Sequence, residues 1–550
     1  MNSLISNRIL SICILFLFSI YIISRVLFLD GDVPPWNISY YQPIDELYYS
    51  LGAFNLYQYG DYDIKLLDFL AEPKYTTNYF TEILVFISLK LFGNNYYGLR
   101  ISSVFAGIMI IFLVYQILKD YLNKEKKEYG ILLLVLLYMI IDFSFLISTR
   151  IVEPTIFRLL AFMIIFYITI KITKRDISNK NSFILGFLAF VSVFYVYTTN
   201  LFILPAIGIF IFLSFVFEDY KKGFQYVLVY ILGVVISFLV FLGLYSIYFE
   251  SNYFQDFMEI HSVVTSRVSN YFINFLHIFQ TNIFRFNANL LFLTIISFPL
   301  YIYITFYKKR KLEILLFCFI LMFFAQTFFI NDYYYRKLIF IFPLVILMIT
   351  ITYFNRDLIF EKLLVNKVMK IVINIYIVLS FLITFVLIDS NIAVIGILNY
   401  ITLIFSLVVV LAYVNKNINL KKLFIGIFII LFFVTNIILS YTYVYAYPTF
   451  KYKMTMMRLA NIIDNQYTVG WSHAMRLYNK SIPLMSIYWY THIEKENYEK
   501  HKNLLIKDKK IIYEFVLIDK NTKKVNKNLL EVFDINEVTG DTIGLIKYEN

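Results

Sequence analysis

The segment Phe80-Thr81-Glu82-Ile83-Leu84-Val85-Phe86-Ile87-Ser88-Leu89-Lys90-Leu91-Phe92 decides how the chain is threaded. Its 13 residues fall short of the roughly 20 that a membrane-spanning helix needs. Glu82 and Lys90 interrupt it. Apolar helices this short lie on a membrane surface more often than they cross it. Read as a surface helix or as a span, the segment sets the side on which every later loop falls.

The question arises because the rest of the chain is a membrane sequence. Of 550 residues, 60% are hydrophobic, 20% aromatic and only 16% charged. Soluble domains carry roughly 25% charge, and a water-soluble surface cannot be built from so little. The composition also excludes disordered, collagen-like and disulfide-scaffold classes. Cys13 and Cys318 lie in apolar runs and form neither a disulfide framework nor a metal-ligand pair. The net charge of +12 would suggest nucleic acid in a soluble protein; here it raises the question of membrane sidedness, and no nucleic-acid partner is expected.

Thirteen runs read as spans: Ile9–Leu29, Ile101–Leu118, Ile131–Ile147, Thr155–Ile172, Phe183–Tyr197, Leu201–Phe217, Tyr226–Tyr248, Leu290–Tyr307, Ile314–Ile330, Leu338–Tyr353, Ile371–Ile388, Ile392–Val414 and Leu423–Tyr445. The first is too long for a signal-peptide core and has no small-residue cleavage site. With Phe80–Phe92 on the surface, one set of loops is Lys119–Glu128, Lys171–Asn181, Glu218–Lys222, Lys308–Lys311, Asn355–Lys370 and Asn415–Lys422. All carry Lys or Arg. The opposite loops Thr198–Asn200 and Asp389–Asn391 carry none. Cytoplasmic loops hold the cations, so the N-terminus is expected inside and the C-terminus outside. A spanning Phe80–Phe92 would invert every later loop and break that rule.

The expected fold class is therefore an all-α polytopic membrane protein, residues 1–447, with a long first outer loop at 30–100. Past Pro448 the chain becomes rich in Lys, Glu, Asn and Asp. There, Lys453–Asp464 reads as a helix, and Ile511–Ile518 and Thr542–Lys547 read as strands. Residues 448–550 are expected to form a small extracytoplasmic α/β domain. No internal repeat is visible.

The acids and cations of the outer face carry the chemical signal. The first outer loop contains Pro43-Ile44-Asp45-Glu46-Leu47-Tyr48-Tyr49. The plain reading is a helix start, where acids are favoured. Adjacent residues on a helix do not share a face, so Asp45 and Glu46 do not make one carboxylate dyad. One can point at a substrate while the other supports the fold or a cation. A further acid, Glu153, follows Arg150 and precedes Pro154. Pro opening a helix accounts for part of this, but ionisable groups at the mouth of two spans are costly enough to indicate function. In Asn331-Asp332-Tyr333-Tyr334-Tyr335-Arg336-Lys337, two cations sit where cations are scarce. They are interfacial anchors or an anion site, since Arg grips phosphate with a planar fork. His261, Arg267, His277 and Arg285 lie in the long outer loop Phe249–Asn289 with no metal-like spacing; His261 is the candidate substrate contact among them.

This pattern resembles the GT-C glycosyltransferase superfamily, in its protein O-mannosyltransferase and aminoarabinose-transferase-like branch. The residues that carry the resemblance are Asp45-Glu46 with Tyr48 and Tyr49, Asn55, and Gly60-Asp61-Tyr62. They continue with Leu91-Phe92-Gly93-Asn94 and with Leu99-Arg100-Ile101-Ser102-Ser103-Val104-Phe105-Ala106-Gly107, then Glu153 and the stretch from Tyr335-Arg336 to Pro343. It is good over Ile9–Asn200 and looser beyond. Many relatives have a Pro-Pro pair before the short interfacial helix; here Asn78-Tyr79 stands in that place, with Glu72-Pro73-Lys74 upstream. Lys74 is the candidate contact to a lipid phosphate. The Trp-Trp-Asp signature of oligosaccharyltransferases is absent, the tryptophans being Trp36, Trp471 and Trp489.

The resemblance implies an integral membrane glycosyltransferase that moves a sugar from a polyprenyl-phosphate donor to a glycan, lipid or protein acceptor on the outer face. Asp45 would be the base, with Glu46 and Glu153 as further catalytic acids. Tyr48, Lys74, Arg150, Arg336, Lys337 and His261 would bind substrate. No cofactor is demanded, although Glu153 and Glu46 would allow a divalent metal, Mg or Mn. The alternatives are a transporter or flippase of lipid-linked saccharides, a polysaccharide polymerase or ligase, and a non-catalytic scaffold. A transporter calls for ionisable groups at mid-membrane or broken helices, and the sequence shows few such groups in its spans.

Overall fold

The computed structural model describes residues 2–31, 50–60, 79–122, 129–152, 154–175, 177–194, 200–216, 219–249, 284, 287–329, 339, 341–387, 393–415, 433–441, 451–463, 468–470, 484–486, 513–518, 529–536 and 541–547. In chain order the helices are α1 Asn2–Val26, α2 Leu51–Tyr59, α3 Tyr79–Phe92, α4 Tyr96–Leu122, α5 Tyr129–Ile141, α6 Phe143–Ser148, α7 Pro154–Arg175, α8 Asn179–Phe194 and α9 Ile203–Leu213. They continue as α10 Tyr220–Phe249, α11 Ala288–Lys308, α12 Lys311–Phe329, α13 Ile341–Phe354, α14 Arg356–Lys362, α15 Lys367–Leu387, α16 Ala393–Val414 and α17 Lys451–Ile463.

Seven helices among the described residues are long and apolar enough to cross a membrane: Ile9–Val26 of α1, Tyr96–Leu122, Pro154–Lys174, Tyr220–Ile247, Ala288–Lys308, Lys367–Leu387 and Ile397–Val414. Four shorter apolar helices, α5, α8, α9 and α13, stand among them. The protein is a multi-pass membrane protein with an all-α transmembrane part. Its outer helices bury one stripe each and turn the rest toward lipid. On α1 the stripe is Leu10, Leu17, Tyr21 and Arg25, while Ile12, Leu15, Phe16 and Ile23 are exposed. On α10 it is Tyr230, Ser237, Phe241 and Tyr245, with Leu228, Leu232, Val235 and Leu239 exposed. Steps of four and seven residues put each stripe on one helix face.

The centre is aromatic. Phe162 and Phe166 of α7 meet Phe319 of α12 edge-on, at ring-centroid distances of 5.1 and 5.3 Å. Between α8 and α10 the backbones touch. A Cβ on Gly186 would stand 2.0 Å from the Tyr230 carbonyl oxygen, and one on Gly233 would stand 2.2 Å from that of Phe183. Reciprocal glycines of this kind let membrane helices pack at backbone distance.

Phe80–Phe92 forms one short helix, α3, packed on α4 and α2. The run Ile131–Ile147, expected as one span, is broken into α5 and α6 at Asp142. There the backbone leaves the helical region (φ −55°, ψ 124°), and the Asp142 carboxylate accepts the Phe145 amide hydrogen bond. That is the geometry of a helix N-cap, which an internal Asp imposes by competing with the helix's own carbonyls. The loop expected at Asn355–Lys370 contains the short helix α14. At this end of the bundle Asp120 of α4 holds both Lys171 and Lys174 of α7 at 2.9 Å.

The tail holds α17 and the strands β1 Thr468–Gly470, β2 Leu484–Ser486, β3 Tyr513–Ile518, β4 Leu529–Asn536 and β5 Asp541–Lys547. They form a sheet in the order β2-β1-β3-β5-β4. β1 is parallel to β2 and β3, and β5 is antiparallel to β3 and β4. Helix α17 packs against β4. Its Lys453 ammonium lies 2.6 Å from the Asp30 carboxylate, just beyond the end of α1.

Candidate functional site

The C-terminal end of α1 leads toward the segment of sequence that carries Asp45. A helix C-terminus leaves its last carbonyls without intrahelical partners, and cations there are favoured by the helix dipole. Two arginines supply the donors. Arg150 donates from Nη1 to the carbonyls of Ser24 (3.2 Å), Arg25 (2.7 Å) and Leu27 (2.8 Å), and from Nη2 to Phe28 (2.7 Å). Arg100 donates from Nη1 to the carbonyls of Leu29 (2.8 Å) and Gly31 (2.5 Å) and lies over the Tyr96 ring. Arg150 therefore closes the end of α1.

A third arginine works from within α1. Arg25 is fully buried. Its Nε donates to Thr149 Oγ1 at 3.3 Å, its Nη1 donates to Ser24 Oγ and to the Ile140 carbonyl, and its guanidinium covers the Tyr21 ring. The Ile140 carbonyl is at the C-terminal end of α5, beside the break at Asp142. Gly107 of α4 makes room for this cluster. A Cβ there would stand 2.0 Å from the Tyr21 hydroxyl and 2.5 Å from Thr149 Cγ2.

The break itself anchors a buried polar network. Asp142 accepts from the Phe145 amide (2.8 Å), the Tyr138 hydroxyl (3.0 Å) and Asn287 Nδ2 (2.7 Å). Asn436 donates to Asn287 Oδ1 and accepts from the Phe143 amide, both at 3.0 Å. Asn287 is the N-cap residue of α11, and Asn436 lies in the helical residues 433–441 that come before the tail. Three distant parts of the chain thus share one set of hydrogen bonds. Every buried polar group here is costly unless paired, which is why amides face the acid.

Against the first turn of α2 lies Glu82 of α3, which is 1% exposed. Its Oε1 accepts the Gly52 amide hydrogen bond at 3.2 Å. Burial raises its carboxyl well above the ordinary range, and the Gly52 bond opposes this only in part. Asn55, one turn along α2, is buried too.

Of the site residues read from sequence, Arg150 is described and sits as above. Asp45, Glu46, Tyr48, Lys74, Glu153, His261, Arg336 and Lys337 lie outside the described residues. Among the described residues, no group of three or more His, Cys, Asp or Glu side chains could hold a metal. The expectation of few buried ionisable groups in the spans needs correction. Arg25, Asp142 and Arg158 are all at most 2% exposed, as is Glu313 in the first turn of α12. Asp142 in the middle of an apolar run was a readable signal; its meeting with Asn287 and Asn436 was not, because that depends on the fold.

Solved structures that share this fold include two of one protein. They are ArnT from Cupriavidus metallidurans in the apo state (11% identity, 97% of each chain, TM-score 0.56) and the same protein bound to undecaprenyl phosphate (10% identity, 97% of each chain, TM-score 0.58). At 10–11% identity the likeness is one of fold. No family model and no curated protein matches the chain by sequence.

Proposed function

We propose that the protein is a GT-C-type glycosyltransferase that moves one sugar from a polyprenyl-phosphate donor to a hydroxyl of a glycan, lipid or protein acceptor on the outer face. The observation that carries this reading is the fold shared over 97% of both chains with ArnT, a protein solved with undecaprenyl phosphate bound. The ordered outer-face acids of the sequence support it.

Residues 1–447 form the catalytic membrane part and residues 448–550 an extracytoplasmic domain. The cation-bearing loops put the N-terminus in the cytoplasm, and thirteen crossings leave the C-terminus outside. The Asp30–Lys453 ion pair supports an odd total, because it joins the start of the first outer loop to the start of the tail. Charges 2.6 Å apart share one side of a bilayer, so the crossings between them are even in number.

In the proposed reaction Asp45 takes the proton of the acceptor hydroxyl. The oxygen attacks the anomeric carbon through an oxocarbenium-like state, and the bond to the donor phosphate oxygen breaks on the opposite side, inverting the centre. The leaving lipid phosphate needs charge compensation more than protonation. Lys74, Arg336 and Lys337 serve that role, and Tyr48 and His261 orient substrate. Arg150 supports the site from behind, by closing the end of α1. Glu46 and Glu153 support the site and would be the ligands of a divalent metal, Mg or Mn, if one is used.

Purified protein with radiolabelled polyprenyl-phosphate sugars tests the reading, together with mass spectrometry of surface glycans after deletion of the gene. A transferred sugar, and one residue missing from the surface glycan, are expected. Movement of intact lipid-linked saccharide without transfer would favour the flippase, and addition of whole chains the polymerase or ligase.

A further inference from the structure

Glu82 interrupts an otherwise apolar helix, and the proposed reaction gives it no part. Helix α2 begins at Leu51, directly after the Asp45–Tyr49 segment. Its N-cap residue, Ser50, is fully buried and makes no side-chain capping bond. In most helices the N-cap side chain accepts from the amide two or three positions on. Here the second amide, that of Gly52, donates instead to Glu82 Oε1 on the neighbouring helix. The cap is supplied in trans.

The helix that supplies it is firmly held. Ser88 Oγ of α3 donates to the Gly98 carbonyl of α4 at 2.5 Å, and the Gly98 amide donates to Asn95 Oδ1 at 2.8 Å. A Cβ on Gly98 would stand 1.9 Å from the Gly93 carbonyl oxygen, so the turn between α3 and α4 closes only with glycine. Arg100 then fastens α4 to the carbonyls beyond α1. The first turn of α2 is thus tied through Glu82, α3 and α4 to the end of α1. The two ends of the segment between α1 and α2, residues 32–49, are both set by this chain of contacts.

We infer that Glu82 is a positioning residue for the Asp45–Tyr49 segment, acting by capping the first turn of α2 from the adjacent interfacial helix. The inference rests on the transferase reading. The Gly52 amide needs only an acceptor oxygen, which glutamine also offers. The protonated form that burial favours is consistent with that.

Hydrogen exchange and kinetics on the full-length protein test it, comparing wild type, Glu82→Gln and Glu82→Leu, each shown to be monodisperse. In Glu82→Leu the amides of residues 51–55 should exchange about tenfold faster. Its kcat for sugar transfer should fall by at least about tenfold, with KM for the lipid donor changed less than about twofold. Glu82→Gln should restore both. Unchanged exchange in Glu82→Leu, a loss in KM alone, or a Glu82→Gln variant as impaired as the leucine one would each overturn the role of Glu82 while leaving an active wild-type enzyme and its function intact. A wild type that transfers no sugar would overturn the transferase reading, and the positioning role with it.

Discussion

Lys453 Nζ lies 2.6 Å from Asp30 Oδ2, an ion pair between residues 423 positions apart that joins the tail helix to the end of the first span. Both side chains are about one quarter exposed (27% and 25%), so the pair contributes little stability by itself. Its value is topological. Cysteines at the two positions should join within one molecule through a short bis-thiosulfonate reagent, and each single cysteine should react with an impermeant reagent added outside intact cells. Absence of the crosslink when both thiols are labelled would count against the shared face.

Asp45→Asn should lower the rate of sugar transfer by about 10²–10⁴-fold, the usual contribution of a positioned base. Donor binding should persist. The measurement is single-turnover transfer with labelled donor, and a variant as active as wild type would remove Asp45 from that role.

Asp142 accepts three hydrogen bonds from buried donors. Asp142→Ala leaves them without that acceptor and should cost about 2–3 kcal/mol. Asp142→Asn keeps one acceptor oxygen and should cost about 1 kcal/mol. Thermal unfolding in detergent, followed by size-exclusion chromatography, reads the order Ala, Asn, wild type. Equal stability of all three would mean that the network does not hold the helices.

Gly107→Val places carbon where Tyr21 and Thr149 already sit. Overpacking of this kind costs about 1–3 kcal/mol. Gly243→Ala in α10 is the control, since nothing lies within 4 Å of the added carbon. It should be neutral or stabilise by up to about 1 kcal/mol. Equal effects of the two substitutions would be the contrary result.

Burial holds the Glu82 carboxyl well above its ordinary value of 4.5. The folded protein therefore keeps a proton that the unfolded chain releases. The resulting stabilisation is complete below pH 4.5 and is lost as the pH rises through the raised folded value. Relative to Glu82→Gln, the wild type should lose stability on going from acid to neutral pH. Parallel pH profiles for the two proteins would show that Glu82 titrates normally.

Much of this architecture is written locally. Apolar run length and the placing of Glu82 and Lys90 were enough to mark α3, which spans Tyr79–Phe92. The composition change at Pro448 was enough to place α17 and the strands β3 and β5 near their observed bounds. In the motif Leu99-Arg100 through Gly107, resemblance marked the residues, and the structure supplies their causes: Arg100 satisfies stranded carbonyls, and Gly107 admits Tyr21 and Thr149. Arg150 shows the limit. A guanidinium reads the same whether its oxygens belong to a phosphate or to the end of a helix, and here four backbone carbonyls take it. Arg25 gave no sign, because its partners Thr149 and Ile140 stand 124 and 115 positions away.

Arg25 also changes what the first helix is. Many membrane proteins tolerate exchange of their leading hydrophobic segment for another of similar length. Here that segment brings an internal cation to the broken end of α5 and receives its own closure from Arg150. A generic leader would insert into the bilayer and still leave a gap in the wall, so α1 is a fitted part of the helix bundle and not a replaceable tether.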